Sequence, residues 1–153
     1  MIGRSFAPAS AFSICVLIAG CGEHEFHPPS AEERMVEADT FYSSALFDSI
    51  VWADPDDRSV QGAEVFATEC RNCHGVMGKG GTEYAAEREL DVPSLVEADW
   101  EYDGDLEAVR HRVFVGHPEG MPTWGVAGIT PREIDAVSNY VLTMLRPEVL
   151  AGG

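Results

Sequence analysis

Apolar positions recur at helical spacing along several stretches of the chain, and nowhere do they alternate for long enough to make a strand. The clearest stretch is the last. Thr130-Pro131-Arg132-Glu133 is a capping box with proline at the first helical position, and Ile134, Val137, Val141 and Met144 follow on one face up to Pro147. Ser59 can cap a helix carrying Gly62, Ala63 and Phe66 on one side. Asp103 or Asp105 can start another, with Leu106, Val109 and Val113 facing inward, and Thr82 a shorter one from Glu83 to Leu90. Asp91 to Leu95 reads as extended. Upstream, Thr40 to Trp52 is rich in aromatic residues. Phe41, Ala45, Asp48 and Trp52 share one helical ridge, with Tyr42, Leu46 and Ile50 on its neighbour. That spacing predicts a short amphipathic helix capped by Asp39 or Thr40 and broken by Asp54-Pro55-Asp56-Asp57. The expected fold is all-α.

Residues 59–147 form the expected compact domain, and 148–153 a tail. At about 90 residues a protein-only core is thin, so an embedded cofactor would supply apolar surface the chain lacks. Residues 21–58 are polar and acidic, with Pro28-Pro29 and Ala31-Glu32-Glu33-Arg34, and read as a tether with helix possible from Ala31. His24 and His27 are expected to be solvated linker residues.

The chain opens with Arg4 and a brief apolar run, Ala11 to Ala19, too short for a membrane-spanning helix of about 20 residues. The run leads into Ile18-Ala19-Gly20-Cys21, which resembles the lipobox of bacterial lipoproteins, with Ile18 where leucine is more usual. The resemblance implies a signal peptide over 1–20, diacylglycerol on Cys21, and anchoring at the periplasmic face of a bacterial membrane. Gly22, in place of the Asp associated with inner-membrane retention, leans toward the outer membrane.

The formal net charge is −16. That balance argues against nucleic acid and against electrostatic adhesion to anionic lipid. It suits docking onto a basic patch of a redox partner, and equally a role in solubility alone.

The densest chemistry is Cys70-Arg71-Asn72-Cys73-His74, followed by Gly75. Two cysteines separated by two residues, with histidine directly after, is the attachment pattern of a c-type haem. Each thiol adds to one vinyl group of the porphyrin, and the next side chain falls under the iron, where imidazole can ligate. A zinc half-site would need a second ligand pair, and a dithiol redox pair would need a βαβ context; the sequence offers neither. The four cysteines are then all assigned: Cys15 to the signal peptide, Cys21 to lipid, Cys70 and Cys73 to one covalent haem. Gly75 to Thr82 is glycine-rich without the spacing of a phosphate-binding loop.

These motifs in combination resemble class I cytochrome c. Gly62 and Phe66 precede Cys70-x-x-Cys73-His74-Gly75, Pro93-x-Leu95 and Met121-Pro122-x-Trp124 follow, and Tyr140 lies in the last helix. The stretch from Trp100 to Trp124, with Gly104, Val113, Gly116 and Met121-Pro122, is most similar to the monohaem units of the diheme subunit of cbb-type oxidases. The segment from His74 to Pro93 is longer than in the shortest family members. The resemblance implies a haem enclosed by four to five helices, behind an N-terminal extension. It implies His74 as proximal ligand, Met121 as distal ligand, a Pro93 carbonyl accepting from the other His74 nitrogen, and Gly62 allowing the first and last helices to cross near Tyr140.

Physical reasoning narrows the sixth ligand without closing the choice. Met77 follows His74 too closely to cross the haem, Met144 sits on an apolar helix face, and Met35 lies in the tether. His111 falls in a helix between Arg110 and Arg112, on a face expected to be solvated. His117, four residues from Met121, remains a rival, as does an open site. Two protein ligands would make a one-electron carrier. A labile distal ligand would instead make a peroxidase-like enzyme or a gas sensor, and a diheme peroxidase would need a second attachment motif.

Overall fold

A computed structural model describes residues 26–152. The fold is all-α, with no strand among the described residues and one isolated antiparallel bridge, His117 to Met121. The lipobox and Cys21 lie outside the described residues, as does Gly153.

Helix α1 spans Ala31–Phe41, set by a capping box in which Ser30 and Glu33 satisfy each other's backbone donors. The helix expected over 40–52 is replaced by this earlier one. Asp39 and Thr40 sit in its last turn, and beyond it lie only a short 3-10 turn, Ser44–Leu46, and bends. Asp54 then caps helix α2, Pro55–Val65, so the Asp-Pro-Asp-Asp run begins this helix four residues before Ser59 instead of breaking its predecessor. A π turn, Phe66–Cys70, carries α2 into α3, Arg71–His74.

Thr82 caps α4, which is confined to Glu83–Ala86 and stops short of the expected Leu90. Asp105, not Asp103, caps α5, Leu106–Val115. The 116–128 loop contains one further turn of helix, α6, Trp124–Ala127. The Thr130 capping box opens α7, Pro131–Tyr140, as its sequence indicates. A second π turn, Val141–Leu145, then leads into α8, Arg146–Ala151. Pro147 therefore lies in the first turn of α8, and the expected tail is helical through Ala151.

Helices α2 and α7 cross at Gly62. A Cβ there would stand 2.3 Å from the Ala136 carbonyl oxygen and 2.6 Å from Tyr140 Cβ, a separation only glycine permits. Ile134, Val137, Val141 and Leu145 form the buried face of the last helices, with Val109, Val113 and Phe114 of α5 opposite. Met144 is not core: nearly half its surface is exposed, and Leu145 takes the inward position.

The segment ahead of α2 is strapped onto the domain. Ala38 and Phe47 are buried, and Tyr42 packs edge-on against His111 and Phe114, with centroids 4.6 and 5.4 Å away. His111 Nε2 lies 2.7 Å from Asp39 Oδ1, so His111 binds the strap; the face expected to be solvated is in use. Farther along, Trp52 Nε1 donates to Asp135 at 2.7 Å and Arg132 stacks on the Trp52 ring. Asp135 of α7 is fully buried and also receives Arg58 of α2, at 2.6 Å, and Arg110 of α5.

Candidate cofactor site

A cavity of about 600 Å³ opens between α2–α3, α5 and α7, and its wall is mostly apolar. Cys70, Cys73, His74, Pro93 and Met121, separated by as many as 51 positions along the chain, all face it. Every site residue expected from the sequence within the described range is therefore brought together. Cys21, the remaining one, lies outside that range.

Local structure explains how each arrives. The π turn at Phe66–Cys70 widens the rod just before the Cys-x-x-Cys segment, a distortion common at functional positions. The α3 end is then held from outside: Thr82 Oγ1 donates to the Asn72 carbonyl at 2.6 Å while accepting from Ala85 N–H, and Gly80 N–H donates to the His74 carbonyl at 2.8 Å. Leu95 N–H donates to the Gly78 carbonyl at 2.7 Å, which draws the Pro93 segment against the glycine-rich loop. That loop is structural packing around the motif.

Met121 is delivered by a tight loop. His117 N–H donates to the Met121 carbonyl at 3.0 Å, and Gly120 N–H to the His117 carbonyl at 3.1 Å. Gly116 makes this closure possible, since its φ is +78° and a Cβ would lie 2.5 Å from the Met121 carbonyl oxygen. His117 also lines the cavity, but its Nδ1 accepts the Glu119 N–H at 3.3 Å and lies 3.4 Å from the Glu119 carboxylate.

The electrostatics suit ligation by neutral imidazole. Burial lowers the His74 pKa, partly offset by the Pro93 carbonyl, which faces the ring without reaching a well-aligned hydrogen bond. His74 Nδ1 is thus a buried polar atom without a full partner. Burial chiefly, aided by the charges of Glu69 and Cys73, pushes the Cys70 thiol up to about 12, so at neutral pH it stays protonated.

The wall contains polar residues that sequence reasoning passed over. Tyr102 and Arg112 face the cavity and hydrogen-bond each other. Arg146 is buried behind the wall, where it donates to Asp103 at 3.0 Å and to the carbonyls of Leu95 and Glu97, and lies 4.8 Å from the centre of the Trp100 ring. It anchors the 95–103 segment that carries Trp100 and Tyr102. An arginine at the start of a last short helix gave no sequence signal of that duty.

Residues 58–141 match the family of cytochrome c oxidase, cbb3-type, subunit III. The cbb3-type cytochrome c oxidase subunit FixP of Azorhizobium caulinodans is 35% identical over 98 residues, covering 63% of this chain and 31% of that protein. Subunit CcoP of Cereibacter sphaeroides is 36% identical over 83 residues, covering 54% and 26%. Subunit CcoP of Rhodobacter capsulatus is 36% identical over 90 residues, covering 55% and 28%. The chain spans between about a quarter and a third of the length of these relatives. No solved structure matches it at a significant level.

Proposed function

This chain belongs to the family of cbb3-type cytochrome c oxidase subunit III, and from that premise we propose that it is a one-electron carrier holding a single covalent haem c. Family membership implies haem c. The observation that carries the finer reading is the convergence of Cys70, Cys73, His74, Pro93 and Met121 on one apolar cavity. The residues fit the group: a thiol pair at attachment spacing, an imidazole kept neutral by burial, and a thioether on a separate loop.

In this reading Cys70 and Cys73 would hold the porphyrin through thioethers, and His74 and Met121 would supply the two protein ligands to its iron. Pro93 supplies the carbonyl that orients the ring through Nδ1, as outer partners of metal-bound histidines do. The haem, when bound, supplies a one-electron iron couple. The chain's own contribution would be to exclude water with a mostly apolar wall, to hold the His74 and Met121 side chains, and to offer the iron two protein ligands in place of a small one. Met/His ligation raises the potential. Met121 is favoured over His117 by the resemblance to class I cytochrome c, in which the Met-Pro pair supplies the distal ligand; the Glu119 contacts of His117 involve Nδ1 alone.

The acidic surface suits a redox partner with a basic docking patch, such as a terminal oxidase, a quinol-oxidising complex or a periplasmic dehydrogenase. Lipid on Cys21 would keep the domain at the periplasmic face, with Gly22 leaning toward the outer membrane. The test is carbon monoxide binding to the reduced holoprotein. The wild type should resist it and Met121→Ala should bind it, with a lower potential and loss of the weak far-red sulfur-to-iron band. Rapid binding by the wild type at neutral pH would overturn the carrier reading in favour of a sensor or peroxidase-like site.

A further inference from the structure

We infer that the strap ahead of α2 is a brace for the loop that delivers Met121, and that Tyr42 is the positioning residue through which it acts. The inference deepens the His74–Met121 reading above and rests on it. The match to the family covers residues 58–141 and so assigns the strap no role. Its grip on α5 is specific. The Tyr42 ring packs edge-on against His111 and Phe114, with centroids 4.6 and 5.4 Å away, and its hydroxyl donates to Glu107. Asp39 Oδ1 lies 2.7 Å from His111 Nε2, and Arg110 covers the buried Phe47 ring at 4.8 Å. The far end is tied to α7, where Trp52 Nε1 donates to Asp135 and Arg132 Nη1 donates to the Val51 carbonyl at 3.1 Å. Tyr42 is therefore held from both sides along the strap.

Phe114, the buried partner of Tyr42, is also the seat of α6. A Cβ at Gly125 would fall 2.2 Å from Phe114 Cδ2 and 2.4 Å from Cε2, so the α6 backbone rests directly on the ring. Helix α6 is a single turn, Trp124–Ala127, and Thr123 gives it no side-chain cap. A turn so short has little rigidity of its own; its place is set by what it rests on. The Met121 loop hangs between α5 and α6 and is closed at its base. A Cβ at Gly116 would meet the Met121 and Pro122 carbonyl oxygens at 2.5 and 2.6 Å, and Trp124 N–H donates to the Pro122 carbonyl at 2.9 Å. The spacing of α6 from α5 thus fixes where Met121 points, and Phe114 is the spacer.

Two pieces of chain therefore share one ring: Tyr42 packs on Phe114 from the strap and Gly125 from α6. Close-packed interiors transmit such a change. With Tyr42 gone, the Phe114 ring gains room to turn, α6 loses a fixed seat, and the loop carrying Met121 opens more often. A docked strap favours the state with Met121 on the iron. A released strap favours the state in which a small ligand can enter, a population shift between two arrangements of the same loop.

The experiment uses covalently loaded holoprotein and three readouts: carbon monoxide association with the reduced form, urea titration of the far-red sulfur-to-iron band beside far-UV circular dichroism, and amide exchange over residues 116–128. Carbon monoxide enters only molecules with Met121 off the iron, and losing one edge-on ring contact can shift that equilibrium by about tenfold. Tyr42→Ala should therefore bind the gas up to about tenfold faster than wild type. It should lose the far-red band at urea concentrations that leave the circular dichroism intact, and its 116–128 amides should exchange faster. Tyr42→Phe keeps the ring and drops only the Glu107 bond, so it should match wild type in all three. In a Phe114→Leu background, adding Tyr42→Ala should change little further, because the shared ring is already gone. Should Tyr42→Ala fail to accumulate, Tyr42→Leu carries the same expectations. A loaded Tyr42→Ala protein equal to wild type in all three readouts would overturn the brace and leave the His74–Met121 reading intact. Band loss that coincides with loss of circular dichroism in Tyr42→Ala would overturn it equally, as would a Tyr42→Phe protein that behaves like Tyr42→Ala. Rapid carbon monoxide binding by the wild type would overturn the ligand reading and the brace with it.

Discussion

Removing the Asp135 carboxylate should be strongly destabilising, because three buried or half-buried donors depend on it. The carboxylate is 2% exposed, and it accepts from Trp52 in the strap, Arg58 in α2 and Arg110 in α5, so one acceptor joins three separately folded pieces. Asp135→Ala leaves two guanidiniums, 20% and 19% exposed, facing a small apolar void. Breaking a buried pair by deleting one partner costs about 3–5 kcal/mol. Arg110 can still turn to Glu107, at 3.5 Å, which places the expectation near the lower end, about 3 kcal/mol. Asp135→Asn keeps the volume and one acceptor and should cost about 1.5–3 kcal/mol, the range for a hydrogen bond to a charged group. Urea unfolding of the holoprotein, followed by tryptophan fluorescence and far-UV circular dichroism, measures both. The pH dependence supplies a separate check. Burial works to raise the Asp135 pKa, but the hydrogen bonds from Arg110, Trp52 and Arg58 outweigh it and hold the group below the ordinary carboxylate value near 4. A depressed carboxyl contributes stability that is complete above the unfolded value and lost as pH falls through the folded one. Asp135→Asn should therefore lose its deficit relative to wild type as pH drops below about 4. A loss under about 1 kcal/mol for Asp135→Ala, within the range of an exposed pair, would refute the reasoning.

Gly62→Ala must push α2 off α7 because its Cβ meets backbone atoms; overpacking of this kind costs about 1–3 kcal/mol or more, read as a lower urea midpoint with unchanged slope. Thr130→Ala removes half of a capping box and should cost about 1 kcal/mol, measured the same way. Cys21→Ser should abolish palmitate labelling in cells; labelling that survives it would exclude the anchor.

Features legible in the sequence are those whose physics is local. The Thr130–Glu133 capping box is a contact between residues three apart, and the Cys-x-x-Cys-His spacing is imposed by a covalent ligand, so neither depends on the rest of the fold. Aromatic content misplaced the upstream helix. Tyr42, Phe47 and Trp52 are apolar because they dock onto α5 and α7 individually, and the true signal was the Ser30–Glu33 box. Asp54-Pro55 carries both turn and helix-start chemistry, and sequence alone does not choose between them. Met144 fits a regular helical face, but the π turn at Val141–Leu145 inserts one residue and hands the inward position to Leu145. The Asp135 cluster spans separations of 25 to 83 residues and leaves no trace in any local window.

Were Cys21 lipidated as proposed, the docking of α1 would also change the geometry of attachment. Were all of residues 21–58 an extended leash, the domain could stand about 125 Å from a lipidated Cys21. With the chain committed to the domain from Ser30 onward, the free span is at most about 30 Å. Under the proposed lipid anchor, confinement to so thin a layer would raise the effective concentration of the domain toward anything else in that membrane and lower it toward soluble partners farther out. The strap would then act as a ruler, selecting acceptors by height above the bilayer before any surface complementarity is tested.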